Sequence, residues 1–447
     1  MTETIVAIAT AAGPGAVGIV RLSGPQAFDI AEKMCGKLPA PRQARLRNIR
    51  DAKGQECDQA IVIAFPGPNS FTGEDVVEIQ GHGGPVVLNQ IVQAACVHGA
   101  RMARPGEFSE RAFLNDRIDL IQAEGIADLI AANSEAAATA ARRSLQGEFS
   151  RQLDVLAQQF IELRVFVEGA LDFSDEEIDW LSDAGLAQKL EKTSATLNQI
   201  IHQAAQGRRL RDGVTIAIVG QPNVGKSTLI NQLAGTDAAI VSDIPGTTRD
   251  ALREHIVIQG MPITVVDTAG LRTTEDPIEN EGIRRAWKAV QAAELSLFLV
   301  DDRSGIDEPN QQLLDQLPAA MPCIVILNKC DLSGRSSEEL QIADRPAIRL
   351  CAADGQGLEM LRQAICRFAG LEQNSESVFS ASTRHLDALH LAKTHLDSAR
   401  QQLANQTGAE LAAEDLRLAH DALGRMSGRV SSDDLLGEVF SRFCIGK

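Results

Sequence analysis

Residues 220–227 read Gly220-Gln221-Pro222-Asn223-Val224-Gly225-Lys226-Ser227, the spacing G-x-x-x-x-G-K-S. These residue types at this spacing suit a phosphate. Glycines let main-chain N–H groups close around phosphate oxygens, and a helix N-terminus just beyond adds its dipole. Lys226 can reach the β- and γ-phosphates, the Ser227 hydroxyl can hold Mg²⁺, and Thr228 continues the loop into its helix. The apolar run Thr215–Val219 precedes the loop, and Thr228–Leu233 reads as a helix. That strand-loop-helix context separates a phosphate loop from the alternative, a glycine-rich turn that matches by accident.

Two further strand ends complete a nucleotide site. Ile263–Val266 runs into Asp267-Thr268-Ala269-Gly270. Asp267 there would hold Mg²⁺ through water, and the Gly270 N–H would sense the γ-phosphate. Cys323–Leu327 runs into Asn328-Lys329-Cys330-Asp331. This N-K-x-D resembles the guanine-specificity motif of translation-factor-class GTPases. A carboxylate at Asp331 suits the paired N1–H and N2–H donors of guanine, and a buried acceptor left unpaired would reject adenine. After Ile348–Leu350 comes Cys351-Ala352-Ala353, where Ser-Ala-x is usual. The Ala352 N–H would reach guanine O6, a main-chain contact that the change to Cys351 leaves intact. Each motif lies at the C-terminal end of an apolar strand, where ligands bind in open α/β sheets. A Ras-like P-loop GTPase domain is therefore expected over 210–372.

The hydrolytic machinery departs from Ras-like enzymes, which carry a water-orienting Gln after the Asp-x-x-Gly turn. Here that position is Leu271. Glu279 is the candidate replacement, acting through a bridging water; the alternative is that Glu279 is a solvated carboxylate. The switch segment reads Ser242-Asp243-Ile244-Pro245-Gly246-Thr247-Thr248-Arg249-Asp250, with Thr248 as the second Mg²⁺ ligand. Asn223 resembles the asparagine of potassium-activated GTPases, in which K⁺ supplies positive charge against the phosphates. Ser242, Ile244 and Thr247 match the loop positions that complete such a K⁺ site. Pro245 stands where a smaller residue is usual and would stiffen the loop.

At 447 residues the chain exceeds one domain, and 44% apolar content supports real cores. Its eight cysteines include no C-x-x-C pair, as expected of reduced thiols in a cytoplasmic protein. The N-terminus lacks the pattern of a signal peptide, and no apolar run is long enough to span a bilayer. A net charge of −17 argues against a general nucleic-acid binder, so any RNA contact must be local or shared with a basic partner. Arg142-Arg143 and Arg208-Arg209-Leu210-Arg211 are local basic clusters, readable as helix-end charges or as RNA grips.

The remaining elements frame the nucleotide domain. Leu153, Leu156, Phe160, Leu163 and Val167 step along one helical stripe. Asp172–Glu177 reads as an acidic loop, and 376–438 is helical again, with Leu386, Leu389, Leu391 and Leu396 among its apolar positions. Two helical blocks flanking a nucleotide domain suggest one discontinuous helical domain with an insertion; two independent modules are the alternative. Residues 1–118 alternate apolar strands with turns, at 4–9, 17–22, 60–65 and 75–80, with helices near 25–35 and 86–98. Within them Gly13-Pro14-Gly15-Ala16-Val17-Gly18 fits G-x-G-x-x-G. The next residues, Ile19-Val20-Arg21-Leu22, read as a strand, so the helix a dinucleotide site requires is missing. The expected fold class is multidomain, α/β and all-α. It comprises an N-terminal α+β domain (1–118), a helical domain in two parts (119–209 and 373–447) and an inserted GTPase domain (210–372).

Several segments resemble the tRNA-modification GTPase family called MnmE or TrmE. They are Val17–Gly24, Phe71-Thr72-Gly73-Glu74-Asp75, Gly81-His82-Gly83-Gly84-Pro85, Arg104–Asn115 and the tail Cys444-Ile445-Gly446-Lys447. Phe71 stands where Tyr is usual and Arg117 where Lys is common. The resemblance implies an N-terminal domain that forms a homodimer and binds a reduced folate, 5-formyl- or 5,10-methylene-tetrahydrofolate. It assigns the folate contacts to Arg21, Glu78, Arg117 and Lys447. It implies a heterotetramer with the FAD-dependent MnmG, FAD residing on that partner alone. The pair modifies C5 of the wobble uridine, position 34, of certain tRNAs. Arg21 and Glu78 could equally be an ordinary strand-surface pair. Cys444 formally opens a C-a-a-X box, but Gly446 and Lys447 fit prenylation poorly; it could serve as a nucleophile beside Lys447 or close the folate site. The alternative function is a ribosome-assembly GTPase, whose expected RNA-binding module is not seen, and a membrane-remodelling GTPase would need a basic amphipathic helix or lipid signal.

Overall fold

The computed structural model describes residues 3–172, 184–235, 253–267, 287–288, 290–318, 321–342, 344–369, 378–404, 408–428, 433–441, 443 and 446. The architecture is multidomain, combining two sheets with long helices. Its contacts divide into two units, Met1–Ala127 with Arg417–Lys447, and Asp128–Leu416.

The first unit holds a six-stranded sheet of β1 (Ile5–Ile8), β2 (Gly15–Ser23), β3 (Arg45–Arg50), β4 (Glu56–Phe65), β5 (Val76–Gly83) and β6 (Arg101–Met102). Their spatial order is β3-β4-β5-β2-β1-β6. Alternation sorts the faces. Val20, Leu22, Val62, Val77 and Ile79 are buried in one cluster with Ile30 and Met34 of the helix Ala27–Cys35 and Leu88 and Ile91 of the helix Pro85–Val97. Arg21 and Glu78 face the other side, opposite each other in the β2–β5 ladder. The G-x-G-x-x-G stretch runs into β2, a strand, as its sequence suggests. A Cβ at Gly18 would lie 2.5 Å from Leu88 Cδ1, so that glycine serves close packing. Three elements escaped the sequence reading, β3, β6 and the helix Glu107–Leu114.

The second unit holds a seven-stranded sheet of β7 (Val214–Gly220), β8 (Arg253–Ile258), β9 (Met261–Asp267), β10 (Leu295–Asp301), β11 (Cys323–Asn328), β12 (Glu338–Ile342) and β13 (Arg345–Arg349). The order is β12-β13-β11-β10-β7-β9-β8; five central strands are parallel and both edges antiparallel. All six residues of β11 are buried, the mark of a strand covered on both faces.

Around this sheet run the helices Glu135–Leu145, Glu148–Asp172, Ala184–Asp212 and Thr383–Ala404. All five residues of the stripe Leu153-Leu156-Phe160-Leu163-Val167 are buried. In Thr383–Ala404 the buried line is His385-Leu389-Ala392-Leu396-Ala399-Leu403, so Leu391 falls on the solvent side. The acidic loop expected at Asp172–Glu177 lies, after its first residue, outside the described residues. The buried segment 378–382 threads between the helices. Phe379 stacks on Phe149 at 4.0 Å, Ser380 N donates to Ala140 O, and Ser144 Oγ donates to Ser380 O.

Candidate functional site

The strand β7 delivers the phosphate loop and the helix Lys226–Ala234 leaves it, capped by Gly225 at φ 99°. A Cβ at Gly225 would strike the Asn328 amide, so glycine is required twice over, by angle and by space. No side chain caps this helix, and Ser227 and Thr228 are exposed on its first turn. Free N–H groups, the dipole and an exposed hydroxyl fit a phosphate and its Mg²⁺. Lys226 Nζ donates to the carbonyls of Gly220 (2.9 Å) and Gln221 (3.0 Å), which holds the ammonium at the loop. Asn223 is exposed at φ 63°.

The N-K-x-D turn is laced to that loop. Asn328, 2% exposed, donates from Nδ2 to Val224 O (2.7 Å) and accepts Ala352 N–H at Oδ1 (2.9 Å). Lys329, at φ 66°, donates to Asn223 O (2.6 Å) and pairs with Asp301 at 3.1 Å. Asp331 is exposed on the short helix Cys330–Ser333 that comes next. The expected Ala352 donor is thus engaged by Asn328, and guanine O6 would have to share or exchange it. Burial first, then the carboxylates of Asp331 and Asp354, push the Cys351 thiol to about 11. Ala353 is exposed beside it.

Asp301 and Asp302, at the end of β10, were missed from sequence. Arg303 first, then Lys329, hold Asp301 well below the usual carboxylate range. Asp302 is fully buried; it accepts from Arg349 Nε (3.0 Å) and from Ser333 Oγ, and its N–H donates to Asn328 O (2.8 Å). It therefore braces both ends of the N-K-x-D turn. An apolar strand running into an acid, as Ile263–Val266 runs into Asp267, was the available signal. Arg249, Asp250, Leu271, Ser242, Asp243, Ile244, Pro245, Gly246, Thr247, Thr248, Thr268, Ala269, Gly270, Glu279, Cys444, Ile445 and Lys447 lie outside the described residues, as does the side chain of Asp267.

In the first unit Arg21 and Glu78 meet. Arg21 Nε and Nη2 both donate to Glu78 Oε1, at 3.0 and 2.9 Å, and Gln80 Nε2 donates to Oε2 at 3.1 Å. The guanidinium lies 5.6 Å from the Phe71 ring centre and 5.7 Å from that of Phe108. Arg117 is close by chain: its Cγ and Cδ would be 3.4 Å from a Cβ at Gly73, two residues past Phe71. A cation, a carboxylate and two aromatic rings fit a ligand with an acidic tail and a flat hydrogen-bonding ring.

The motifs around this pair prove to be its scaffold. Ser23 Oγ donates to Glu74 (2.6 Å), Arg111 grips Glu74 (3.0 Å) and Glu107 (3.1 Å), and Arg101 pairs with Glu107 at 2.7 Å. Glu107 is 2% exposed. Burial opposes its charge, but Arg101, the Arg104 N–H and Arg111 outweigh it and pull the carboxyl down to about 2. In the Gly81-His82-Gly83 motif, His82 N and Nδ1 both bond Asp58, at 2.8 and 2.7 Å.

Apart from Arg142, which is exposed, the basic clusters are occupied within the chain. Arg209 donates to Ala369 O (2.6 Å) over the Phe368 ring, Arg211 pairs with Asp128 (2.8 Å) and Arg208 with Glu294 (3.5 Å). Arg143 bonds Val378 O at 3.5 Å. These contacts tie helices to the nucleotide fold and favour the structural reading over an RNA grip. Among the described residues no helix is long and apolar enough to cross a membrane.

A parallel sheet whose phosphate loop is laced to an N-K-x-D turn defines a P-loop GTPase. Family models agree and go further: "GTP-binding protein TrmE N-terminus" matches residues 4–117 and "MnmE helical domain" residues 120–444. A tRNA modification GTPase MnmE of Stutzerimonas stutzeri is 52% identical over 100% of this chain and 99% of its own. One from Pseudomonas aeruginosa PAO1 is 53% identical with the same coverage. A crystal structure of an Era variant from Aquifex aeolicus bound to GDP.AlF4⁻ is 25% identical, covering 41% of this chain and 66% of that one, at TM-score 0.28. The chain belongs to the MnmE family of tRNA modification GTPases.

Proposed function

We propose that the protein is a K⁺-activated GTPase which, with an FAD-bearing MnmG-like partner, adds an aminomethyl or carboxymethylaminomethyl group at C5 of uridine 34 of certain tRNAs. A reduced folate, 5-formyl- or 5,10-methylene-tetrahydrofolate, supplies the one-carbon unit, and the reaction runs in the cytoplasm. The observation that carries this reading is the coexistence, in a chain of this family, of the laced nucleotide site and the Arg21–Glu78 pair flanked by Phe71 and Phe108.

Roles follow from chemistry. Residues 223–228 would cradle the phosphates, with Lys226 opposing their charge and Ser227 and Thr248 on Mg²⁺. Asp331 would read guanine, held in place by Asn328 and Asp302. Asn223, with Ser242, Ile244 and Thr247, would hold K⁺. The ion would supply positive charge beside the phosphates when bound. Glu279 would orient water. Arg21, Glu78, Arg117 and Lys447 would hold the folate, with Cys444 near it. The domain limits 1–118, 119–209, 210–372 and 373–447, and a homodimer through the first, belong to the same reading.

The test is nucleoside mass spectrometry of tRNA from cells lacking the gene. Loss of the C5-aminomethyl class of modification is expected. An unchanged profile would overturn the proposal and move a role in ribosome assembly to first place.

A further inference from the structure

The chain carries a net charge of −17, yet between Glu32 and Lys53 it places seven Lys or Arg against two carboxylates. The structure gathers most of them at one margin of the first sheet. The strand β3 is an edge strand, and Arg45 and Arg50 on it are exposed. Lys37 lies just beyond the helix Ala27–Cys35, and Arg47 Nε donates to Lys37 O at 3.2 Å, which brings that turn to the strand. Lys53 sits at the β3–β4 hairpin tip, where Asp51 Oδ1 accepts the N–H groups of Lys53 and Gln55 at 2.9 Å. Lys33 is exposed on the helix. Among the described residues none of these cations is in an ion pair. Charged side chains, Lys above all, also guard an edge strand against pairing with another chain, but that accounts for the cations of β3 and not for Lys33, Lys37 and Lys53 outside it. A seven-to-two excess of positive charge, unpaired, in a strongly acidic chain asks for another cause.

We infer that the margin formed by β3, its hairpin tip and the turn at Lys37 is a phosphate-backbone contact surface for the tRNA substrate. The inference rests on the tRNA-modifying reading above. A polyanion is repelled by the chain as a whole, so its contacts must concentrate where the local field is positive. Lysine and arginine bind backbone phosphates without reading sequence, releasing counterions as they do so. Arg45 and Arg47 project from the same side of an extended strand, about 6.6–6.8 Å apart, which presents them as a row rather than a point. The surface is separate from the cation cluster at 208–211, whose arginines bond within the fold.

The test uses the full chain and an unmodified tRNA transcript. Filter binding is measured across a KCl series for wild type and for Lys37→Gln/Arg45→Gln/Arg50→Gln/Lys53→Gln. Arg47 is left in place because of its bond to Lys37. The variant should bind at least about tenfold more weakly near 100 mM KCl, with the slope of log K against log salt reduced by roughly 2–3. Its GTP turnover and its thermal melt followed by circular dichroism should equal wild type, which reports an intact fold in both units. Equal affinity and slope in the two proteins would overturn the inference, as would a wild type that does not bind the transcript. So would unchanged tRNA affinity with loss of a stoichiometric acidic protein partner. Nucleoside analysis of the deletion strain reads the modification activity independently: lost modification there, with tRNA affinity unmoved by the variant, sinks this surface alone.

Discussion

Asn328 spends both ends of its amide on the main chain of other loops, Val224 O and Ala352 N–H. Truncating it leaves a buried acceptor and donor unpaired, at about 1–3 kcal/mol each. Asn328→Ala should therefore weaken guanine-nucleotide binding by roughly 30- to 700-fold, about 2–4 kcal/mol. Titration with a fluorescent GDP analogue checks this, and affinity within threefold of wild type would show that the lacing is dispensable. Asn223 makes a second case: if its side chain holds K⁺, Na⁺ should not sustain GTP turnover, and equal rates in the two salts would remove K⁺ from the site. The motifs behind both predictions were readable because each is a short run of sequence. Asp302 was not, because its partners Ser333 and Arg349 are 31 and 47 residues away. The Arg21–Glu78 pair came from resemblance alone, since nothing local in either strand announces a partner 57 residues off.

At the scale of elements, periodicity was legible where burial decides it. The helix Glu148–Asp172 shows its stripe because one face meets a core. The strand β3 hid itself: Arg45-Leu46-Arg47-Asn48-Ile49-Arg50 alternates around charges, and only Ile49 is buried. The helix Glu107–Leu114 hid for another reason, since its anchorage is ionic, through Glu107 and Arg111 to Arg101 and Glu74. That anchorage makes the first unit acid-sensitive. The Glu107 carboxyl falls from an ordinary 4.5 to about 2 in the fold. A depressed carboxyl stabilises above its unfolded value and loses that stability as pH falls through the folded one, here from about 4.5 to 2. Urea midpoints should drop across this window by an amount equivalent to about 1–3 kcal/mol. Glu107→Gln should start lower at neutral pH and lose less across the window; parallel curves would place the acid sensitivity elsewhere.

For the whole molecule, composition bounded the answer without placing it. A charge of −17 argued against a general nucleic-acid binder, but net charge cannot show that Lys37, Arg45, Arg47, Arg50 and Lys53 share one sheet margin. The junction of helices and nucleotide fold was expected as an insertion into one helical domain, with two independent modules as the alternative, but not in its detail. The structure shows how the chain departs and returns. The helix Ala184–Asp212 hands over to β7 across Gly213, whose φ is 77°, and Val378 packs in the same cluster as Leu210 and Val214. A Cβ at Gly207 would strike the Phe379 carbonyl. Exit and re-entry are therefore neighbours, the condition under which one domain can be spliced into another without disturbing its host. Replacing residues 214–377 by a short Gly-Ser linker should leave a helical protein that melts cooperatively and hydrolyses no GTP. That outcome would make the nucleotide domain a removable cassette, one that its helical host could have acquired after it already folded.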